Sequence, residues 1–349
     1  MRFATIGTSD ICRRFIEALG QVEGGSYELC YSRHAQTAKA FAQENGAART
    51  CTSLDDLAAD PQVDAVYIAS PNALHASQAR LLLAQGKHVL VEKSFASNEA
   101  EAVGIFDLAQ EKGLVAMEAM RNIHDPSFAK VSEVVNDQLG QVRAASLGFS
   151  KITSRFARLK AGERLNVFDP RMASGALMDI GVYVVEPAVA LFGAPQEVLA
   201  SAVTTEVPGE EAESPYGRID ISGSALLSYG DFVVNLNYGK VTDDVIACQV
   251  QGERATLTFR TVSCPEDLRL YVHQGDKMVY KMETGAGEPI PVPSVPNDMV
   301  FEIRDFMAAV GEGAQGPLAS RYRQVTLDSL RVQDRIRQQV GIRFPADEG

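Results

Sequence analysis

Short apolar runs alternate with amphipathic stretches along the first third of the chain. The apolar runs, of which Val89-Leu90-Val91 is the clearest, predict strands buried on both faces of a parallel sheet. The amphipathic stretches predict helices, and strands that alternate with helices in this way indicate a doubly wound sheet with right-handed crossovers. The predicted strands are residues 3–6, 27–31, 65–69, 89–91 and 114–117, and the predicted helices include residues 35–45, 54–59, 76–85 and 98–112.

After about Arg121 the pattern changes to alternating apolar and polar residues with turn signals between the runs. This alternation is typical of antiparallel strands with one covered face, and Gly230-Asp231 and Gly252-Glu253 predict tight turns. Two helices are expected near the end of the chain, at residues 298–310 and at about 321–340. Ser320 is predicted to cap the second of these helices, which Gly341 ends. The predicted strands are residues 142–150, 197–205, 219–229, 232–238, 245–251, 255–260, 268–273 and 278–282.

The length of the chain favours two domains. Its 349 residues exceed what one hydrophobic core usually serves. We expect the fold class α/β plus α+β. Residues 1–120 would form a Rossmann doubly wound parallel sheet, and residues 121–349 a mainly antiparallel open-sheet domain. The helix at about 321–340 is expected to pack on the first domain.

Composition and charge exclude several classes of partner. The net charge of −12 and the absence of a clustered basic face argue against nucleic acid and anionic membranes, although a small phosphate pocket remains compatible. The amino terminus lacks the apolar core of a signal peptide, and no run approaches the roughly 18 apolar residues of a membrane span. Single cysteines, odd in number, are typical of reduced thiols in a cytoplasmic protein. They are Cys12, Cys30, Cys51, Cys248 and Cys264.

The turn after the first predicted strand is a candidate pyrophosphate site. A strand, a tight turn and a helix can present backbone N–H groups to phosphate at the helix N-terminus. Where a dinucleotide motif has three glycines, this chain has Gly7, Ser9 and Cys12, and the last two are small enough to preserve close approach. A plain strand-to-helix connection would show the same residues. The candidate cofactor contacts here are Gly7, Thr8, Ser9, Asp10 and Ile11.

The end of the second predicted strand bears on cofactor choice. An NAD site usually places a carboxylate here to bind the ribose 2′-hydroxyl. This chain has Ser32 and Arg33 instead, and a hydroxyl with a guanidinium suits a 2′-phosphate. NADP is therefore favoured over NAD. NAD stays possible, because an arginine at this position is also typical of a solvent-exposed loop without a ligand.

Polar residues follow two further predicted strands. Ligands of parallel sheets bind outside the carboxyl ends of the strands, so these residues and Gly7 are expected to share one cleft. Glu92 and Lys93 close the apolar run at residues 89–91, where a plain surface ion pair is the alternative. The other candidate cofactor contacts at this edge are Ser70, Pro71, Asn72 and His75.

Four motifs together resemble the Gfo/Idh/MocA family, named for glucose-fructose oxidoreductase and inositol dehydrogenase. Two departures from the family pattern stand out. Ser94 follows Glu92-Lys93 where the family usually has proline, and Tyr183 replaces a frequent histidine, as in the branch resembling dimeric dihydrodiol dehydrogenase. The motifs are Ser70-Pro71-Asn72 with His75, Gly86-Lys87-His88-Val89-Leu90-Val91-Glu92-Lys93, Met117-Glu118-Ala119-Met120-Arg121, and Gly175-Ala176-Leu177-Met178-Asp179-Ile180-Gly181-Val182-Tyr183.

The resemblance implies a nicotinamide-dependent hydride transfer with a secondary alcohol or ketone of a sugar, cyclic polyol or small dihydrodiol. It also implies that the open sheet face packs on a partner subunit, giving a homodimer or homotetramer. Arg121, Asn122 and His124 follow the last strand of the first domain and are candidates to reach the cleft, Arg121 as a cofactor contact. No metal is expected, because no histidine and carboxylate cluster has ligand spacing.

The candidate catalytic residues are Lys93, Tyr183 and Asp179. Asp179 and Tyr183 share a face if their segment is helical, although a capping aspartate and a packed tyrosine would show the same spacing. A tyrosine needs a nearby cation to act as a base at neutral pH. We expect Lys93 to be that cation and to bind the reacting oxygen. Lys93 as the proton carrier is the alternative, and Asp179 is expected to accept hydrogen bonds from a substrate hydroxyl.

These observations predict an NADP-preferring dehydrogenase or reductase. A non-catalytic NADP-binding regulator on the same scaffold is the alternative, because fold does not secure activity. The presence of Lys93, Asp179 and Tyr183 together favours the enzyme, since a regulator has no need of them.

Overall fold

The computed structural model describes residues 1–211, 213–273 and 285–348. Within these residues the first sheet has six parallel strands in the order β3-β2-β1-β4-β5-β6. The strand order reverses between β1 and β4, which is the switch point where α/β sheets bind ligands. The doubly wound Rossmann sheet is confirmed. Its strands are β1 (Arg2–Ile6), β2 (Ser26–Tyr31), β3 (Arg49–Cys51), β4 (Ala65–Ile68), β5 (His88–Glu92) and β6 (Ala116–Ala119).

Helices cover both faces of this sheet, and their ends follow the capping residues of the sequence. The Asn98 side chain accepts from the Glu101 N–H at the start of α5, and Gly46 and Gly113 end α2 and α5 in the left-handed conformation. These helices are α1 (Asp10–Leu19), α2 (Ala35–Asn45), α3 (Leu54–Ala59), α4 (His75–Ala84) and α5 (Glu99–Lys112).

Two details of the first sheet differ from the prediction. The edge strand β3 was missed because it is only three residues long and none of them is buried. The last strand was placed two residues too early, at 114–117. The Leu114 N–H bonds to Ala109 O at the end of α5 and the Val115 N–H to His88 Nδ1, so pairing with β5 begins only at Ala116.

The second sheet has eight strands in the described residues, in the order β14-β13-β12-β11-β7-β10-β9-β8. All neighbours are antiparallel except β7 and β10, so the mainly antiparallel sheet is confirmed. The predicted strand at 278–282 lies outside the described residues. The strands are β7 (Val142–Ser150), β8 (Glu197–Glu206), β9 (Arg218–Ser228), β10 (Val233–Gly239), β11 (Cys248–Gly252), β12 (Ala255–Arg260), β13 (Glu266–Val272) and β14 (Glu288–Ile290).

The helices of the second half contain two corrections. The helical residues 121–137 were not predicted, although Asp125 caps the second of these helices and Pro126 opens it. The long C-terminal helix begins at Pro317, so Ser320 lies inside it and is not its cap. These helices are α6 (Arg121–His124), α7 (Pro126–Asp137), α8 (Phe156–Lys160), α9 (Val182–Phe192), α10 (Met299–Glu312) and α11 (Pro317–Val340).

One face of the eight-stranded sheet is covered by helices and the other is open. Helices α7, α9 and α11 bury valine and isoleucine side chains against the strands. On the opposite face Leu199 and Val203 of β8 are 62% and 58% exposed. Helix α11 also packs on α5 and β6, so it contacts both sheets.

The segment Pro170–Phe192 is long and apolar enough to cross a membrane by length and composition. Its most apolar stretch is 67% buried inside the fold, and the core helix of a soluble protein has the same properties. Arg171, Asp179 and Glu186 interrupt the segment, so it is not a continuous apolar run. Pro187 lies within α9 and does not begin a separate helix. The five cysteines are unpaired thiols.

Candidate active site

A cavity of about 540 Å³ lies at the carboxyl ends of β1, β4, β5 and β6, between the two sheets. It brings together all three candidate catalytic residues and seven of the candidate cofactor contacts besides Lys93. Its walls include Lys93, Asp179, Tyr183, Ser9, Ile11, Ser70, Pro71, Asn72, Glu92 and Arg121.

Strand β5 carries the site because its apolar residues anchor it in the core. Val89, Leu90 and Val91 have no exposed surface, and Glu92 follows at the strand end. The Tyr67 hydroxyl donates to Glu92. Burial raises the pKa of Glu92, which stabilises the neutral carboxyl. Strand β5 therefore presents Lys93 as the first charged group beyond the buried strand.

Lys93 forms an ion pair with Asp179. Its Nζ lies 2.7 Å from Asp179 Oδ1 and 3.0 Å from the Asp179 carbonyl oxygen, and 5.2 Å from the centroid of the Tyr183 ring. Burial alone would lower the pKa of Lys93, but the charges of Asp179, Tyr183 and Glu92 outweigh it, and the pKa is raised. Lys93 is therefore a stable cation beside the tyrosine.

Asp179 bridges two lysines. Lys240 was missed by the sequence analysis; it is 2% exposed, and its Nζ lies 2.9 Å from Asp179 Oδ2 and 2.7 Å from the Val167 carbonyl oxygen. Burial opposes ionisation of Asp179, but Lys93 and Lys240 outweigh it and hold its pKa below the usual range. Since both carboxylate oxygens are in ion pairs, the main contact of Asp179 is with the two lysines rather than with solvent in the cavity.

A π-helical turn, Leu177–Gly181, leads into α9 and carries Asp179. Two glycines of its motif are required by close packing. A Cβ on Gly175, whose φ is +123°, would lie 2.1 Å from Asp220 Oδ1, and one on Gly181 would lie 3.1 Å from the Tyr238 ring. The Ser94 hydroxyl donates to Met178 O at 3.0 Å, next to a cis Lys93–Ser94 peptide. This hydrogen bond connects the end of strand β5 to the π-helical turn.

Tyr183 has two cations near its ring. The Arg121 guanidinium carbon is 5.7 Å from the ring centroid, and Lys93 Nζ is 5.2 Å from it. Arg121 also pairs with the buried carboxylate of Asp298. Burial would lower the pKa of Arg121, but Tyr183 and Asp298 outweigh it and raise the pKa. Two positively charged side chains therefore lie close to the tyrosine ring.

The glycine turn has the geometry of a phosphate cradle. Gly7 has a φ of +122°, and a Cβ there would lie 2.8 Å from the Ala69 carbonyl oxygen, so only glycine fits. Ser9 precedes α1 without capping it through its side chain, which leaves the first-turn N–H groups of a ten-residue helix available. These residues fit the pyrophosphate of a dinucleotide.

Besides Gly7 and His75, four candidate cofactor contacts lie outside the lining of the main cavity. Thr8 lines a separate groove with residues of α1 and α2, and Asp10 points to solvent in an ion pair with Arg13. Ser32 and Arg33 lie at the end of β2, on the other side of β1. Arg33 is exposed and has no ion-pair partner among residues 1–211, 213–273 and 285–348. These two side chains are reachable by a ligand that extends across the switch point.

His75, a candidate cofactor contact, is buried between two protein segments. Its ring is fully buried, with Nε2 2.8 Å from Ser70 O and Nδ1 3.0 Å from Ser94 O, and burial lowers its pKa to about 4. The neutral ring has one N–H, so it can donate to one of these two carbonyl oxygens, which lie in the segments that follow β4 and β5. Asn122 and His124 also turn away from the cavity, toward Val262 O and Asp305.

The structure adds wall residues that were not among the candidate site residues. The segment between β7 and the π-helical turn contributes residues 155, 166, 167, 172 and 174, and α10 contributes Glu302. Glu302 follows an apolar helical pattern and was not singled out. Only the packing of α10 beside α1 and α6 reveals its position.

One cluster has the residue types of a metal site. Ligand atoms of Asp125, Cys264 and Asp298 lie within 4.8 Å of one another. Asp298, however, forms ion pairs with Arg14 and Arg121, and Asp125 caps α7. These existing contacts account for both carboxylates without a metal.

The parallel sheet, the phosphate cradle and the Lys93–Tyr183 pair define a Rossmann-fold oxidoreductase that uses a nicotinamide dinucleotide. Residues 1–120 match the family model GFO/IDH/MocA, described as an oxidoreductase family with an NAD-binding Rossmann fold, and residues 128–258 match the GFO/IDH/MocA C-terminal domain. The chain belongs to the GFO/IDH/MocA oxidoreductase family, as the motifs indicated.

Similar proteins span the whole chain. Scyllo-inositol 2-dehydrogenase (NADP(+)) IolU of Bacillus subtilis (strain 168) is 35% identical, covering 100% of this chain and 99% of the relative. The uncharacterized oxidoreductase YgjR of Escherichia coli (strain K12) is 34% identical over 99% and 98%. The crystal structure of KijD10, a 3-ketoreductase from Actinomadura kijaniata in complex with NADP and TDP-benzene, shares the fold, with a TM-score of 0.81 and 24% identity over 99% of each chain.

Proposed function

We propose that this protein is an NADP-dependent dehydrogenase or reductase acting on a secondary alcohol or ketone of a cyclic polyol or sugar. The observation that carries the proposal is the position of Tyr183, which faces the cavity with Lys93 and Arg121 beside its ring. The relative IolU, whose name specifies scyllo-inositol and NADP(+), supports this substrate class and cofactor. A cytoplasmic location agrees with the unpaired cysteines.

Residues 1–120 would bind the dinucleotide and residues 121–349 would close the substrate site. Gly7, Ser9 and the start of α1 would hold the pyrophosphate, and the segment at Ser70, Pro71 and Asn72 would line the path toward the ribose nearest the nicotinamide. Ser32 and Arg33 would bind the 2′-phosphate. When bound, the nicotinamide accepts or donates the hydride.

In the oxidative direction Tyr183 would take the hydroxyl proton of the substrate. Lys93 has three N–H donors, of which Asp179 occupies two, so one is left for the reacting oxygen. Since the ion pair with Asp179 favours protonated Lys93, we assign proton transfer to Tyr183 and charge stabilisation to Lys93. Asp179, held by Lys240, would keep Lys93 in place.

The proposed function predicts a cofactor preference that depends on Arg33. NADPH formation, followed by absorbance with a panel of inositols and aldoses, should be faster with NADP⁺ than with NAD⁺. Arg33→Ala should lower kcat/KM for NADP⁺ by about 10- to 100-fold, because a charge-assisted hydrogen bond to phosphate is lost. The value for NAD⁺ should stay within about twofold of the wild type, since NAD⁺ lacks the 2′-phosphate.

Lys39→Ala is the matched control for this experiment. Lys39 is also an exposed cation of the same unit, but it lies a turn into α2 rather than at the end of β2. Its replacement should change neither value by more than about twofold. An equal loss for both cofactors in Arg33→Ala would contradict the 2′-phosphate site, and absence of activity with every polyol and sugar would contradict the substrate class.

The open face of the second sheet is proposed to pair with another copy of the chain, giving a homodimer or homotetramer. Leu199 and Val203 lie on this face with more than half of each side chain exposed. Replacing both with glutamate should convert the oligomer to monomers in size-exclusion chromatography with light scattering, because a symmetric interface would bring like charges together. Val103→Glu on α5, a half-exposed apolar position of the other domain, should not change the mass. A monomeric wild type would disprove this assembly.

A further inference from the structure

Glu302 is a buried acid in the cavity wall with no partner. It lies on α10, has no exposed surface and contributes to the lining of the cavity. Neither of its carboxyl oxygens has a hydrogen-bond partner among the described residues. Buried polar groups are nearly always hydrogen-bonded, so an unpaired carboxyl in the wall of a binding cavity is a position where a ligand can supply the partner.

Burial favours the neutral form of Glu302. Burial raises its pKa well above the ordinary value, and the nearby acids Glu92 and Asp298 raise it further. Arg121 and Arg14 act in the opposite direction, but both are already paired with Asp298. The result is a carboxylic acid that presents one O–H donor and one carbonyl acceptor.

A primary carboxamide is the group that matches this pair. Its N–H donates to the carbonyl of a carboxylic acid while its own oxygen accepts from the acid O–H. Glu302 shares the cavity wall with Arg121 and Tyr183, the residues to which the proposed function assigns the reacting centre. In the proposed cofactor, the carboxamide belongs to the ring that must lie at this centre.

We propose that Glu302 acts as a neutral acid that hydrogen-bonds the carboxamide of the nicotinamide and thereby orients the ring for hydride transfer. This proposal rests on the proposed function. Glu302 is a cofactor-positioning residue, and neither the Lys93–Asp179 pair nor the proton transfer at Tyr183 depends on it.

Equilibrium binding tests the proposal without turnover. The dissociation constants of NADP⁺ and of its 3-acetylpyridine analogue, in which a methyl ketone replaces the carboxamide, are measured by calorimetry. The wild type should bind NADP⁺ about five- to tenfold more tightly, since the analogue lacks the N–H donor. Glu302→Leu should bind both about equally, because NADP⁺ then loses two hydrogen bonds and the analogue loses one. Glu302→Gln, which keeps one donor and one acceptor, should retain the preference.

The ratio of the two constants is internal to each variant, so it does not depend on how much protein is folded. Retention of the wild-type ratio in Glu302→Leu would overturn the proposal while leaving the proposed function standing. Failure of the wild type to bind either dinucleotide would instead overturn the proposed function and the role of Glu302 with it. Loss of the preference in Glu302→Gln as well would also overturn the proposal, because the amide preserves the required hydrogen bonds.

Discussion

Lys93→Met is expected to lower kcat by at least about 10³-fold while NADPH affinity stays within about threefold of the wild type. Removing one preorganised donor from a developing oxyanion commonly lowers kcat by about 10² to 10³. Lys93 is also one of the two cations beside Tyr183, at 5.2 Å from the ring centroid, so the same variant removes a cation next to the proposed proton carrier. Steady-state kinetics and a titration of cofactor fluorescence measure the two quantities; the chain contains no tryptophan to interfere.

Lys240→Met is the matched control for Lys93→Met. Both lysines form ion pairs with Asp179, at 2.7 and 2.9 Å, but contact with the Tyr183 ring is found for Lys93. If the role of Lys93 is at the reacting oxygen, Lys240→Met should lower kcat by only about tenfold, through a less firmly held Asp179. Equal losses of kcat in the two variants would show that Lys93 acts only as an ion-pair partner of Asp179, as Lys240 does. Near wild-type turnover in Lys93→Met would refute the mechanism.

Tyr183→Phe is expected to lower kcat by about 10² to 10⁴-fold with little change in KM, the usual contribution of a positioned general acid or base. The substitution removes only the hydroxyl, so the ring keeps its edge contact with Phe149 and its place near Lys93 and Arg121. Cofactor affinity should therefore stay within about threefold. A loss confined to KM would assign Tyr183 to substrate binding and contradict its role in proton transfer.

Tyr238→Phe controls for the removal of a tyrosine hydroxyl near the site. Tyr238 packs beneath Gly181 and is not part of the cavity wall, and its buried hydroxyl has no hydrogen-bond partner in the described part of the chain. Its replacement should leave kcat within about twofold and should not lower the melting temperature, because an unpaired buried hydroxyl contributes no stability. A large loss in this variant would mean that packing beneath the π-helical turn, rather than proton transfer, limits the rate.

Local patterns were sufficient to predict most of the first domain. Its inner strands are buried on both faces, and capping residues mark ends of α2, α3 and α5, so periodicity and capping residues point to the same elements. Prediction failed where tertiary contacts replaced local signals. The edge strand β3 forms because β2 offers a free edge, and the segment at 114–115 leaves the ladder because α5 and His88 take its N–H groups.

The site was predicted only in part, for a physical reason. Lys93, Asp179 and Tyr183 stand at strand ends or in a motif, where the chain itself marks them. Neither Lys240 nor Glu302 lies in a motif, since each follows an ordinary strand or helix pattern. They reach the site, or the residues that support it, only when elements distant in sequence pack together. His75 differs from these residues, because its motif suggests a cofactor contact while its ring is buried against Ser70 O and Ser94 O.

The amino-acid sequence by itself determined the doubly wound sheet, the mainly antiparallel second sheet, the family and the three candidate catalytic residues. These depend on periodicity, on strand ends and on short motifs, all of which are local along the chain. Only the tertiary structure decided which charged and polar groups contact one another. It placed Asp179 beside two lysines, Tyr183 near two cations and Glu302 unpaired in the cavity wall. Electrostatic energy depends on distances between residues far apart in sequence and on their burial, and neither is set until the two domains pack together.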